Sequence, residues 1–578
     1  MSVGTGDLIT RIYGGFCGVD FRGADISITR SPDSKDVWKD YKEIDSIRTR
    51  PAMRLLCAFD KPVYGIHFAN DKVYVHYGDA LVCYDAKDFR DRLIEAKPKV
   101  PQEGLLNEQR SFSFSHAGSL YLKDGKKFFY CADGSAKEVK GYAPTTTIGR
   151  KPSGGGTVYE DVNMLTLQRC NSFVGDGKST EYHLDINDIA SIDYIEIDDK
   201  PYTDLYEVDL ENGIVKFGII DADKIPHTIP PAPKTTGQDN VKITFTVSGN
   251  NIVREKIERC SILQVFDNRV FYAGNPDYPN MMWHSSLDTP SYISDLDYYQ
   301  EGLDNALITG LVAGNNALWV FREPSQENTT VFYHTPTIDA DYGKIYPSQH
   351  SSISTGCIGG AVNFNDDIVF FSERGLEGIS GDIMSEQVVS HRSSLVDCKL
   401  IAESKYRDAV LAEWEGYLLV FVGNKVYLAD SRAKFAYNDH VEYDWFYWEL
   451  EKDIICACVD NGVLYLGTTD GVYTLDDYET DVESYWSTPK DKFSAANKVK
   501  TTNKRGMVAE ATGDLSVYVK TEDSDFELIG DYTDVKDYFV SRIKRKKWKD
   551  IQLKFHSNTR FSLETATLEA FIGGYIKR

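Results

Sequence analysis

The sequence predicts an all-β chain: a β-propeller of about seven blades with an inserted β-sandwich and a C-terminal β-sandwich. Three observations lead there. An apolar β-rich run, a turn built on Asn, Asp or Gly, and a second apolar run recur along most of the chain. Aromatic residues are 12% of the sequence, with 36 Tyr and 28 Phe, and both favour pleated, half-buried surfaces. Helical periodicity is confined to two short stretches, 89–96 and 303–311.

The repeat reads Lys72 to Tyr84 near the start and Asn461 to Tyr473 late in the chain. Between them lie copies at Ala117-Gly-Ser-Leu-Tyr121, Asp267-Asn-Arg-Val-Phe271, Gly314 to Trp319, Asn365 to Phe370 and Glu415 to Val420. Type I′ turns need positive φ at both central residues, which Gly, Asn and Asp tolerate, so each copy predicts a tight hairpin. Hairpins repeated every few tens of residues are what a propeller requires, because each blade covers its neighbour's apolar face.

The organisation follows from where this punctuation stops. Residues 1–55 are rich in Gly, Asp and Arg and read as an arm that folds against something else. Residues 56–142 carry the first blades, and 257–480 carry the rest. Between them, 143–256 opens on linker composition, Thr145 to Gly156, and continues as strands about ten residues apart, an inserted sandwich. A Pro-rich loop from Pro226 to Pro233 predicts an exposed polyproline excursion. Residues 481–578 alternate again and form the C-terminal sandwich.

With 578 residues and a formal net charge of -24, the chain does not have the composition of a duplex-binding protein. The basic run Ser541 to Lys549 reads as a solvated edge beside the apolar Trp548, Ile551 and Leu553. Met1 to Thr10 lacks a charged-then-apolar leader and no run of about 18 apolar residues occurs, so folding in a cytoplasm is expected, with no membrane-spanning segment. The ten cysteines are dispersed; Cys456 and Cys458 share a strand face and read as packing residues.

No compact catalytic or phosphate-binding motif is present in the sequence, so the expectation is a protein that is not an enzyme and takes no cofactor. His67 and His76 flank a hairpin and read as packing histidines. Asp339-Ala-Asp341 could contribute oxygen ligands to Ca²⁺ or half of a glycosidase pair, but reads first as a solvated loop. Phe173-Val-Gly-Asp-Gly177 reads as a turn.

The arm contains Gly14-Gly-Phe-Cys-Gly-Val-Asp-Phe21, then Arg30-Ser-Pro-Asp33, Asp36-Val-Trp38 and Ile47-Arg-Thr-Arg-Pro51. This order resembles the start of tail nozzle and head-to-tail stabilisation proteins of tailed bacteriophages. Phe271 to Pro276, Trp283-His-Ser-Ser286, Tyr292-Ile and Gly302 resemble the same family's propeller segment, and Phe173 to Gly177 with Tyr206 to Phe217 resemble a sandwich module of phage structural proteins. The resemblance implies a virion protein of the neck or tail, assembled in the host cytoplasm. It would form a homo-oligomeric ring, sixfold by that likeness, touching a portal or adaptor ring, other tail proteins and passing genomic DNA without specific binding. It nominates Arg30, Pro32, Asp33, Trp38, Arg50 and Pro51 as anchors of the arm, to the protein body or to a neighbour. The arm is expected to be dispensable for the propeller fold and required for assembly. The alternative is a distal tail or baseplate receptor-binding protein that recognises host glycans through Asp288 to Tyr292 or Tyr443 to Trp448.

Overall fold

The structure is a computed structural model describing residues 7–23, 26–41, 46–91, 102–219, 227–250, 252–340, 343–380, 388–437, 440–477, 482–522, 524–544 and 547–575. It is nearly all-β. The described helices are short: Ala86–Arg90, Ile252–Glu258, Asp397–Leu400 and the 3₁₀ turn Tyr406–Asp408. The chain divides into two compact units, residues 1–110 with 352–578, and residues 111–351.

The repeat does what its turn chemistry requires. Consecutive positive φ angles occur at Ala117 and Gly118, Asp267 and Asn268, Asn315 and Asn316, Asn365 and Asp366, Glu415 and Gly416, and Asn461 and Gly462. Each pair joins two antiparallel strands, as in Ile262–Phe266 with Arg269–Ala273 and Val410–Trp414 with Tyr417–Val422. The 303–311 stretch is not a helix: Ile308–Gly314 is a strand paired with Ala317–Arg322. The reason is the β-branched pair Ile308-Thr309 and the Asn315-Asn316 turn that follows, which commits the segment to a hairpin.

In the first unit, four groups of strands pack face to face through shared cores, and one of them, 410–449, is part of a 15-stranded sheet that also holds strands of the arm and of 484–575. The sheet of 361–391 meets that of 410–449 across Phe364, Val369, Phe371, Leu418, Val420 and Trp445. The opposite face of the latter places Tyr417, Leu419 and Phe421 in one core with Leu464 and Leu466 of the next sheet. That sheet, 456–476, is completed by Ala52–Ala58, which pairs with Gly471–Asp476. Residues 52–55, assigned from sequence to the arm, thus belong to a sheet. Its core then continues through Leu56, Tyr465 and Val472 to Val63, Val73, Val75 and Val82 of the three-stranded sheet 63–85. Tyr417–Val422 is buried at every position because both faces of its sheet are covered.

In the second unit, three further sheets stack the same way. Phe114 and Phe128 share a core with Tyr272 and Trp283, and Phe271, Ala273 and Met282 share another with Leu318, Val320 and Phe332. The segment 143–250 adds a six-stranded and a three-stranded sheet around one core that includes Phe173, Tyr182, Val215, Ile243 and Phe245. Its predicted linker is instead a strand, Thr145–Arg150, followed by a glycine turn. Arg150 holds that turn, donating to the carbonyls of His183, Leu184 and Gly155 at 2.6–2.8 Å, and this cage offsets the low apolar content. Of the Pro-rich loop, Pro226 lies outside the described residues. Pro230 is buried whereas Pro231 and Ala232 are exposed, and the Pro231 carbonyl accepts from Asn240 Nδ2 at 2.9 Å.

The C-terminal segment of the first unit is organised by two long strands, Lys498–Thr521 and Phe561–Tyr575. Each alternates in stretches, with register shifts between Thr502 and Met507 and between Glu510 and Ala511. Met507, Ala509, Leu568 and Ala570 point into the core, whereas Val508 and Glu510 face solvent. Trp548, Ile551 and Leu553 are buried, and Lys547 and Lys549 exposed, so these two lysines are solvated beside apolar strand residues.

A charged cluster predicts a pH dependence in this unit. His391 lies between Glu377, with Nδ1 to Oε1 at 3.2 Å, and Asp397, with Nε2 to Oδ2 at 2.5 Å. Burial disfavours the imidazolium, but Asp397 and Glu377 overcome it and raise the pKa to about 10. A histidine pKa raised in the folded state contributes stability that is full below the unfolded value of about 6.5, declines above it, and is gone once pH passes the folded value. His391→Gln should therefore lower the urea midpoint near pH 6 and converge on the parent above about pH 10. A constant difference across that range would exclude the ion pairs as its source.

Candidate assembly interface

The arm residues nominated from sequence are all docked on their own chain. Leu8–Gly14 runs antiparallel to Phe561–Tyr575, from Leu8 opposite Phe571 to Gly14 opposite Thr565. Tyr13 is buried and donates to Asp491 Oδ2 at 3.0 Å, and Arg11 Nε pairs with the same carboxylate at 2.7 Å. The glycines that follow have a steric cause. Gly18 has φ +82°, and a Cβ there would stand 1.9 Å from the Trp445 carbonyl oxygen, where Val19 N–H donates at 2.6 Å.

Arg30 is buried, forms an ion pair with Asp444 and donates through Nη1 to the Cys17 carbonyl at 2.7 Å. Burial raises the Asp444 pKa, and Arg30 opposes the shift. Pro32 and Asp33 are half-buried, and Asp33 accepts from the Tyr485 hydroxyl at 3.0 Å. Trp38 stacks on Trp414 at 5.4 Å between ring centroids and meets Tyr417 and Trp448 at 5.6 and 5.7 Å.

Arg50 is the most enclosed cation of the arm. It donates to Asp36 at 2.7 Å, Glu451 at 2.8 Å, the Glu449 carbonyl at 3.1 Å and the carbonyl of buried Pro51 at 3.0 Å. Asp36 has its pKa raised to about 6, because burial outweighs the attraction of Arg50 and the hydrogen bond from Glu449 N–H. Its φ of +56° sits in the left-handed region, which a short polar side chain tolerates.

The structure thus brings the candidates into one seam along the first unit. In the sequence Asp36 is legible only as a motif residue, and nothing there identifies Asp444 and Glu451, which with Asp36 neutralise Arg30 and Arg50, or Asp491, which pairs with Arg11. Asp444 and Asp491 lie more than 400 residues from their arginines, and no spacing could signal them. The seam also makes the arm structural. Tyr13, Phe16, Val37, Trp38 and Ile47 belong to the same core as Leu553, Phe555 and Leu568, so deleting the arm opens that core.

The other nominated residues are not brought together. Asp339 ends the short strand Thr337–Asp339, and Asp341 lies outside the described residues. His67 and His76 are buried on neighbouring strands, and burial, then the charge of His76, pushes His67 down to about 3. Burial pushes the thiols of Cys456 and Cys458 up to about 12. Asp176 accepts from the N–H groups of Lys178 and Ser179 at 2.9 and 2.7 Å, which makes Phe173 to Gly177 a side-chain-closed turn. Of the two aromatic surfaces, Tyr443 and Trp445 to Trp448 are buried, whereas Tyr292 packs its ring 5.3 Å from the exposed Tyr142.

The class defined by these elements is an all-β protein in which several small sheets stack beside one 15-stranded sheet. The chain matches no protein-family profile and no curated protein. Among solved structures it is similar to the computationally designed Ika8 protein, with TM-score 0.31 and 9% identity over 73% of this chain and 99% of that one. BamB from Moraxella catarrhalis gives TM-score 0.34 and 10% identity over 76% and 93% of the two chains. The N-terminal domain of Nup159 gives TM-score 0.34 and 10% identity over 74% and 95%.

Proposed function

We propose that this chain is a structural protein of a tailed-bacteriophage virion, forming a homo-oligomeric ring of the neck or tail that extends the DNA channel and docks other tail proteins. The strand groups 361–391, 410–449, 456–476 with 52–58, and 63–85 of the first unit and the three four-stranded sheets of the second are read as about seven blades of one propeller, with Ala52–Ala58 closing the last blade. The two sheets of 143–250 are read as an inserted sandwich, and the 498–575 strands as a terminal one. The observation that carries the reading is the arm. Its Gly14-Gly, Arg30-x-Pro-Asp33 and Arg50-Pro51 steps resemble the nozzle family, and in this fold each step has a physical task in the seam.

Such a protein works by occupying a place, through its interfaces, and its acidic balance of -24 would keep passing DNA from adhering. Receptor binding at the tail tip is the second reading. It is favoured by exposed Tyr142, which packs on Tyr292 and donates to Glu160 at 3.2 Å, since ring faces beside a carboxylate suit a sugar. Immunogold labelling of virions with antiserum against this chain tests both. Label at the head–tail junction is expected; label at the distal tip transfers the protein to the second reading, and particles without label overturn both.

A further inference from the structure

Two arm strands, Val37–Trp38 and Ile47–Thr49, border a cavity of about 160 Å³ in the first unit. Trp38, Trp414 and Pro51 form its apolar wall, and Asp40, Arg48, Glu415 and Asp477 its polar one. Trp38 is 2% exposed, and its Nε1–H has no hydrogen-bond acceptor among the described residues, whereas Trp414 Nε1 donates to the Gly462 carbonyl at 3.0 Å. The edge-on contact of Trp38 with Trp448 offers at most a weak N–H/π interaction. A buried donor without an acceptor is costly, and a polar cavity beside it has room for an occupant that brings one.

The lining selects the chemistry of that occupant. An ionised carboxylate only accepts, up to about four hydrogen bonds, so Asp40, Glu415 and Asp477 call for a ligand that also donates. Arg48 pairs with Asp40 at 2.5 Å and with Asp477 at 3.1 Å, and Arg560 stands 3.7 Å from Asp477, so the local charges nearly balance and favour a neutral ligand. An anion would meet three carboxylates, and an ammonium group has no lone pair for the indole N–H. A hydrocarbon would leave the indole and the carboxylates without partners. A hydroxyl both donates and accepts, and a ring bearing several of them keeps C–H surface for Trp414 and Pro51. The volume is that of about five waters at liquid density and lies below the roughly 300–1,000 Å³ of drug-sized pockets, which suits one ring and not a chain of them.

We propose that this cavity binds a single neutral polyhydroxylated ring, a monosaccharide unit, with Trp38 Nε1 donating to one hydroxyl and Asp40 and Glu415 accepting from others. The site shares no residue with the Tyr142–Tyr292 surface, and it stands whether the chain lies at the neck or at the tip of a tail.

The test follows the indole N–H itself. The full chain labelled with ¹⁵N-tryptophan gives one indole resonance for each of its eight tryptophans, and Trp38→Phe identifies the one from Trp38. The probes are the methyl glycosides of glucose, galactose, mannose and N-acetylglucosamine, each at about 100 mM, a hundredfold above a millimolar dissociation constant. At least one should move the Trp38 resonance downfield and saturably, and Glu415→Gln should weaken that binding about fivefold at unchanged circular dichroism. A Trp38 resonance that none of the four moves overturns the site. Movement with N-methylacetamide but with no glycoside also overturns it, assigning the cavity to an amide. Glycoside binding seen by saturation transfer that survives Trp38→Phe and is lost in Tyr142→Ala belongs to the other surface and overturns it as well.

Discussion

Replacing Trp38 by alanine is expected to cost about 3–5 kcal/mol of stability in the first unit, the range for deleting a fully buried large aromatic side chain. Trp38 is 2% exposed and enclosed by Trp414, Tyr417 and Trp448, with the Arg48 guanidinium 5.8 Å above its ring. The surrounding rings are themselves held: Trp414 Nε1 donates to the Gly462 carbonyl at 3.0 Å and the Tyr417 hydroxyl to the Lys39 carbonyl at 2.7 Å. They cannot collapse fully into the space, so the cavity cost adds to the transfer cost. Because Val37–Trp38 bridges the strands His440–Glu449 and Ile47–Thr49, hydrogen exchange should also quicken along Phe561–Tyr575, which pairs with Ile47–Thr49. Trp38→Phe should recover part of the loss. A urea midpoint that moves by less than the equivalent of about 1 kcal/mol would mean that the arm does not dock as described.

A fragment ending near residue 145 should fail to fold. The first unit needs residues on both sides of the second: Ala52–Ala58 forms its ladder with Gly471–Asp476, and Val63, Val73 and Val82 share their core with Cys456, Tyr465 and Val472. Cut off from 352–578, this apolar surface faces water, and the arm's buried Arg30 and Arg50 lose Asp444 and Glu451. The expected observation is no cooperative thermal or urea transition and rapid proteolysis. A cooperative transition for that fragment would sink the division into units and the closure by Ala52–Ala58 together.

The arm is where the sequence reading and the fold part most instructively. Gly, Asp and Arg composition suggested a segment too polar to bury surface and dispensable for the fold. Tyr13, Phe16, Trp38 and Ile47 nonetheless enter the core, because their partners Trp486, Trp448 and Leu568 arrive from the far end of the chain. The Thr145 to Gly156 segment was misread for the same reason: local composition cannot show that Arg150 will find three carbonyl acceptors.

What the sequence determined by itself is local. Turn residues with positive φ placed the hairpins at Asp267-Asn268, Asn315-Asn316, Asn365-Asp366 and Asn461-Gly462, and the apolar β-rich runs placed the strands on either side. These features need only nearest-neighbour sterics and the pleat of a strand. Only the tertiary structure decided that Ala52–Ala58 completes a sheet with Gly471–Asp476, that Arg30 meets Asp444, and that Leu8–Gly14 lies along Phe561–Tyr575. Those pairings join residues hundreds of positions apart, and their energy comes from burial and charge neutralisation that exist only once the chain has closed on itself.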